Sequence, residues 1–521
     1  MKKNIIHPLH ARALILSMIL ATGLPIGVAS AMTDTTYTQS GGSASLADRN
    51  FTCTSGDASP VTALNSGAVT LTNCTIVKSG DASSVDNSSQ YGTNAGVWAK
   101  AAGTVSLIGG TITTNASGGN GLFATGAGSS VTMTNGTISA TGGGAHGVDA
   151  TYTGTITLTN VNITTHGSNS SAVATDFGGG TVTVNGGTIS AASTVTGSHS
   201  AGIYSTGTIT VTGATVSSLA DCGGVIDGAN TITLVNTSLT GALHGIKTWK
   251  TAPMSGTARV TIHGGSLQAQ NGDALLVTGE TGNAATSSLT FESGAVVTAS
   301  TGNLVHVVSS STATVAITAD TLTGNLLADA TSTLSAALSS GSRLIGTITR
   351  GALTLDGSST WQVTGNATLT TFSDASGISG TTITNITGNG YTVTYNAALS
   401  GNSALGGKTY TLQNGGTLTP AGATNVDDAA SATPTTWSLS ANYPNPFNPS
   451  TTLTYAIPVE AQVALTVYNT LGQEVATLVD ARQPAGAYTV RFDAAGLASG
   501  VYFARLRAGS YLATQKMMLS R

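Results

Sequence analysis

The sequence predicts an all-β protein: a right-handed, three-sided parallel β-helix followed by a small antiparallel, immunoglobulin-like β-sandwich. Three observations carry that expectation. A nine-residue pattern recurs eight times between about residues 68 and 267. Glycine is enriched, with 67 in 521 residues, while charged residues are only 8%. Six of the 11 prolines fall at Pro434, Pro444, Pro446, Pro449, Pro458 and Pro484, so the composition changes near residue 425. Hydrophobic residues at 40% and a net charge of −4 argue against disorder. The 18 Lys and Arg are scattered, so no basic patch suits nucleic acid.

Residues 1–31 read as a signal peptide. Lys2 and Lys3 precede an apolar stretch from Ala13 to about Val28, and Ala29-Ser30-Ala31 gives the small-x-small cleavage pattern. Thr22, Gly23 and Pro25 interrupt a run that would need ~20 apolar residues to span a bilayer. The mature chain is therefore expected to start near Met32, with no transmembrane segment. Cys53, Cys74 and Cys222 then lie in a disulfide-permissive space, in which Cys53 with Cys74 is the bridge to expect and Cys222 stays free and buried. No Cys-x-x-Cys spacing occurs, so no metal site is expected; no cofactor is expected either.

Residues 32–420 form the predicted β-helix. The pattern appears as AVTLTNCTI at 68–76, SVTMTNGTI at 130–138, TITLTNVNI at 155–163 and TITVTGATV at 208–216. Its final residues, from Ile76 through Ile112 and Ile138 to Leu267, are spaced by 36, 26, 25, 26, 27, 23 and 28, a solenoid period with insertions in loops. The second and fourth slots are aliphatic, as in Val131 and Met133 or Ile156 and Leu158, and the slot between them is always Thr or Ser. That alternation describes a strand with one buried face. The sixth slot is Asn73, Gly109, Asn135, Asn160, Gly186, Gly213, Asn236 and Gly264. These residue types tolerate positive φ, so each coil turns a left-handed corner there before a second short strand. A third strand follows a Gly/Ser loop, as in Gly96-Val97-Trp98-Ala99, Gly121-Leu122-Phe123-Ala124 and Gly147-Val148-Asp149-Ala150. Looser repeats continue the helix to about Thr419.

The recurring V-T-L-T-N-x-T-I, with the A-H-G-V-D-A and L-H-G-I-K-T strands, resembles the pertactin-like β-helix passengers of autotransporter adhesins. The resemblance implies an adhesin-like or structural role, displayed toward surface glycans or a neighbouring cell. The chain ends Met517-Met518-Leu519-Ser520-Arg521 without that family's membrane barrel, so another export route is expected.

Residues 421–434 read as a linker, and residues 435–521 as short alternating strands such as TTLTYAIP at 451–458 and GVYFARLRA at 500–508. This block is very similar to the type A sorting domain of the type IX secretion system. The motifs are Asn442-Tyr443-Pro444-Asn445-Pro446-Phe447-Asn448-Pro449, then Val467-Tyr468-Asn469 with Leu471-Gly472-Gln473, then Leu497-Ala498-Ser499-Gly500-Val501-Tyr502, and the segment at Lys516. The resemblance implies handling by the type IX machinery and release or display outside the cell.

Parallel β-helices also carry polysaccharide lyases and hydrolases, for which Asp149, Asp176, Asp227 and Lys247 on the third strands are the candidate acid/base groups, with His146 and His244 before equivalent glycines. Ala174 and Tyr204 occupy the intervening outward slots, so no two carboxylates stack directly. Isolated polar groups on a solvated face are the alternative. Trp98, Phe123 and Tyr204 share that slot and Trp249 lies two positions beyond it on its coil. They form an aromatic strip able to stack on sugars unless loops fold over it. The outward Thr columns allow a third reading, an ice-binding array.

Overall fold

The alternation of aliphatic and hydroxyl side chains builds a parallel solenoid of about fifteen turns. The computed structural model describes residues 35–251, 255–280, 282–421, 437–440, 442, 444–483, 486–509 and 511–520. The predicted signal peptide, and the predicted linker beyond Ala421, lie outside the described residues. The chain divides into two compact units, residues 1–421 and 422–521.

A representative coil of the first unit has three strands. Leu122–Thr125 lies on what we term face three, Ser130–Thr134 on face one and Thr137–Ala140 on face two. Each strand pairs in parallel with its counterpart one coil later, Leu122 opposite Val148, Val131 opposite Ile156 and Ile138 opposite Ile163. Matching side chains therefore lie over one another: Val131, Ile156, Val182, Ile209 and Ile232 form one column, each at most 1% exposed. Burying such a side chain contributes about 1.5–3 kcal/mol. The columns merge into one continuous core because no coil can bury its own apolar edge.

The corner column behaves as its residue types dictate. Asn73, Asn135, Asn160 and Asn236 have φ between 47° and 54°, and Gly109, Gly186, Gly213 and Gly264 between 63° and 72°. The asparagines are also neighbours in space: Asn160 Nδ2 donates to Asn135 Oδ1 at 3.4 Å.

Among the described residues the ten-stranded ladder of face two runs to Val296–Ala299, and Thr321–Thr323, Arg343–Gly346 and Thr360–Val363 carry on in a further parallel ladder. Later coils use longer strands, such as Thr312–Thr318 and Ile348–Leu355, and larger core residues. Trp361 is fully buried, its indole N–H donating to Gly346 O at 2.9 Å. The ladder closes where Tyr410–Gln413 turns back antiparallel on Thr417–Pro420.

Two expectations are corrected here. Cys53 and Cys74 are both free thiols, as is Cys222, and all three are buried. The ladder pairs Cys53 with Lys78, four residues beyond Cys74. Four residues of strand span about 13 Å, far past disulfide reach. The Cys53 thiol instead donates to Ser55 O and Ala58 O, both at 3.6 Å. Second, the surplus residues of the 36-residue first interval do not form a plain loop. They fold into a helix, α1 (Val85–Tyr91), whose Ser84 cap accepts the Asn87 N–H at 3.2 Å.

The second unit is a sandwich. One sheet orders Ser438–Leu439, Ser450–Ile457 and Gly486–Asp493; the other orders Glu474–Gln483, Ala461–Tyr468, Gly500–Ala508 and Tyr511–Leu519, all antiparallel. Phe447, Leu453, Tyr455, Val467, Phe492 and Leu506 fill the space between them.

Candidate functional site

Helix α1 turns part of face three into a covered site. Gly92, just after the helix, lies so close to the ring of Phe123 that a Cβ there would stand 2.3 Å from it. Phe123 is accordingly buried, and Trp98 half-buried, with Lys100 Nζ 3.4 Å from the centroid of its ring. Of the two arrangements the sequence left open for the aromatic strip, the covered one holds at these two positions. The helix is tied down across the coils. Thr151 Oγ1 donates to Gln90 O at 3.0 Å, Gln90 Nε2 donates to the Tyr152 hydroxyl, and the Tyr91 and Tyr152 rings stack at 6.0 Å.

Beside the helix is a pocket of about 340 Å³, in which Asp86 of α1 faces His146, Asp176, Phe177, His199, Tyr204 and Trp249. Tyr204 and Trp249 thus meet at one cavity. The indole N–H of Trp249 is buried without a hydrogen-bond partner, and Lys247 Nζ lies 3.9 Å from the centroid of that ring.

Two of the candidate acids come together and two groups do not. The register sets Asp149 opposite Ala174 and Thr151 opposite Asp176, so the two carboxyls are diagonal neighbours on adjacent coils. Diagonal positions on one sheet face are ~7–8 Å apart at the backbone, within reach of side chains. A ring nitrogen of His146 and an oxygen of each acid lie within 4.8 Å of one another. The lack of direct stacking suggested isolated acids; the diagonal contact brings them together all the same. Asp227 instead anchors a turn, accepting the Thr251 N–H at 3.1 Å and its hydroxyl at 2.6 Å. Lys247 stacks on Trp249.

The electrostatics follow from burial. Asp149 is fully buried and neither of its oxygens makes a hydrogen bond of good geometry; burial followed by the Asp176 charge holds its pKa well above the ordinary value, against a weaker opposing pull from the Ala150 N–H. Burial pushes Asp176 up to about 6, against the opposing hydrogen bond from the Phe177 N–H at 3.1 Å. His146 is pushed down to about 4 by burial, and its Nδ1 accepts the Ser171 N–H at 3.0 Å. His244 makes the equivalent bond further along, its Nδ1 accepting the Asp273 N–H at 3.1 Å. Both histidines thus tie one coil to the next.

A second polar cluster is fully satisfied. Asp273 accepts from Thr301 Oγ1 at 2.7 Å and Asn303 Nδ2 at 2.9 Å, and pairs with His306 Nδ1 at 3.0 Å. Burial pushes its pKa up, but these bonds outweigh it and hold the pKa at about 2. A carboxylate depressed below its unfolded value stabilises the fold above that value, and the contribution disappears as pH falls through 4 toward 2. Asp273→Asn is expected to lower stability by about 1 kcal/mol at neutral pH, after discounting for partial solvent screening. Its loss of stability between about pH 4 and 2 should be correspondingly shallower, read from thermal melts across that range.

The outward Thr columns of face one are in register through Thr132, Thr157, Thr183, Thr210 and Thr233.

In the second unit the motif residues gather at one end. Asn445 Nδ2 donates to Lys516 O at 3.1 Å and its Oδ1 accepts the Met518 N–H at 2.9 Å. The Phe447 N–H donates to Met518 O at 2.8 Å, and its ring packs on Phe492 at 5.9 Å. Tyr468 pairs with Phe503, Phe503 with Lys516 and Gly500 with Leu519, so the Asn469–Gln473 turn opens at that same end. Gly472 there has φ 77°, and Leu471 is 82% exposed. Tyr502 is buried, its hydroxyl donating to Ala498 O at 2.8 Å. Pro444 and Pro446 flank Asn445 in the chain, and Pro446 is exposed.

A parallel β-solenoid followed by such a sandwich defines a two-unit, all-β protein. Residues 441–520 match the family model of the secretion system C-terminal sorting domain. The chain is thus a β-helix fused to a type IX sorting tail, which implies export to the cell surface or secretion. No curated protein matches it. No helix among the described residues is long and apolar enough to cross a membrane.

Proposed function

We propose that this is an adhesin-like protein of the cell exterior whose β-helix binds a glycan in the pocket beside α1. The observation that carries the reading is the convergence of the Tyr204 and Trp249 rings with the Asp176 carboxyl in one cavity of about 340 Å³. Aromatic faces with a few placed polar groups are what a sugar ring requires. The test is a glycan array with the full chain and Trp249→Ala. Removing an anchoring aromatic costs about 2 kcal/mol or more, so the variant should bind roughly thirtyfold more weakly. An array with no wild-type binder, or unchanged binding by Trp249→Ala, would overturn the reading.

One observation favours polysaccharide cleavage as a second reading: the paired carboxyls, with Asp176 facing the pocket. The same incubations, assayed for new reducing ends or unsaturated ends, test it. Turnover lost in Asp176→Asn would support it. The Thr columns support ice binding, which thermal hysteresis would report.

A further inference from the structure

A buried carboxylate ordinarily has a counter-charge or hydrogen bonds, because nothing else offsets taking its charge out of water. Asp149 has no counter-charge and no hydrogen bond of good geometry. Its side chain points outward from face three but is sealed off from solvent. Among the described residues no Lys, Arg or His forms an ion pair with Asp149 or Asp176. Lys247, the cation on the same face, is held over the Trp249 ring. What lies close instead is a second carboxyl and an imidazole, with one ligand atom of each within 4.8 Å of the others.

We propose that His146, Asp149 and Asp176 form a binding site for a divalent cation of the zinc or manganese type. The donor set decides the class. One nitrogen and two carboxylates suit such ions, whereas calcium takes about six to eight oxygens and magnesium prefers to keep its waters. Asp149 supplies the buried ligand and Asp176 the ligand on the pocket side, where a further coordination position can face the cavity. His146 is the weakest of the three. Its Nδ1 accepts the Ser171 N–H, so ligation by this nitrogen replaces an existing tie with the metal bond. The site goes beyond the glycan reading and does not depend on it.

The experiment is calorimetric titration of the full chain, stripped with chelator, using zinc, manganese and calcium chlorides at about pH 7.5, with a thermal melt at each endpoint. Zinc or manganese is expected to bind at one site and raise the melting temperature, with calcium at least roughly tenfold weaker. Asp149→Asn and Asp176→Asn should weaken binding about a hundredfold, and His146→Gln about tenfold. Asp149→Asn preserves shape and is easier to bury than a carboxylate, so it should fold; circular dichroism checks this, and Asp176→Asn at the pocket edge gives an independent reading. No saturable binding by the wild-type chain would overturn the proposal, leaving a proton shared between the two acids. Unchanged binding in both Asn variants would overturn it equally, by placing the ion elsewhere.

Discussion

Removing residues 435–521 is expected to reduce the protein outside the cell to background and to leave a folded β-helix in the periplasm. Two observations support an effect this large. The matched sorting segment, residues 441–520, coincides with a unit that has its own core of Phe447, Tyr455, Val467, Phe492 and Leu506. The β-helix has a separate core and loses none of its ladder by the cut. Export should therefore fail without misfolding. Fractionation with protease shaving of intact cells reads the outcome, and a truncated chain that still reaches the surface would refute the sorting role. A milder version is available at Asn445, whose side chain clasps the last strand through Lys516 O and the Met518 N–H. Asn445→Ala should lower export while leaving the tail in place.

Gly187→Val is expected to be among the most damaging single substitutions in the β-helix, costing about 3 kcal/mol or more. Gly187 directly follows the corner residue Gly186 and has φ 91°. A Cβ there would stand 2.1 Å from Val161 O and 2.9 Å from Val161 N, and both are backbone atoms of the preceding coil that cannot swing aside. The β-branch adds strain in a conformation that side-chain-bearing residues rarely adopt. The control is Asn135→Gly in the corner column itself: glycine already serves at four of the eight corners, so the loss there should stay within about 1 kcal/mol. Thermal unfolding of the two variants against wild type separates them. Equal melting temperatures for Gly187→Val and wild type would show that the coils do not stack as closely as described.

The corner column was legible in the sequence because Asn and Gly are the residues that accept positive φ, and a fixed slot holding nothing else points to a left-handed turn. The aliphatic columns were legible because period-two alternation leaves only one face to bury. Cys53 and Cys74 misled because their nearness along the chain says nothing about stagger between coils, and the register puts four residues of strand between them. The 36-residue interval announced an insertion but not its form. Seven helical residues capped by Ser84 carry too little periodicity to stand out in a Ser-rich loop.

The repeat by itself determined the solenoid, because its rules act at every coil independently, whereas the sorting tail was legible through a few short motifs that resemble those of type IX sorting domains. The candidate binding site was decided only by tertiary structure. Whether Phe123 faces water or a helix, and whether Asp149 meets Asp176, depends on where α1 settles across several coils and on a two-residue diagonal between neighbouring strands. Those are distances between segments far apart in the chain, and no local pattern encodes them.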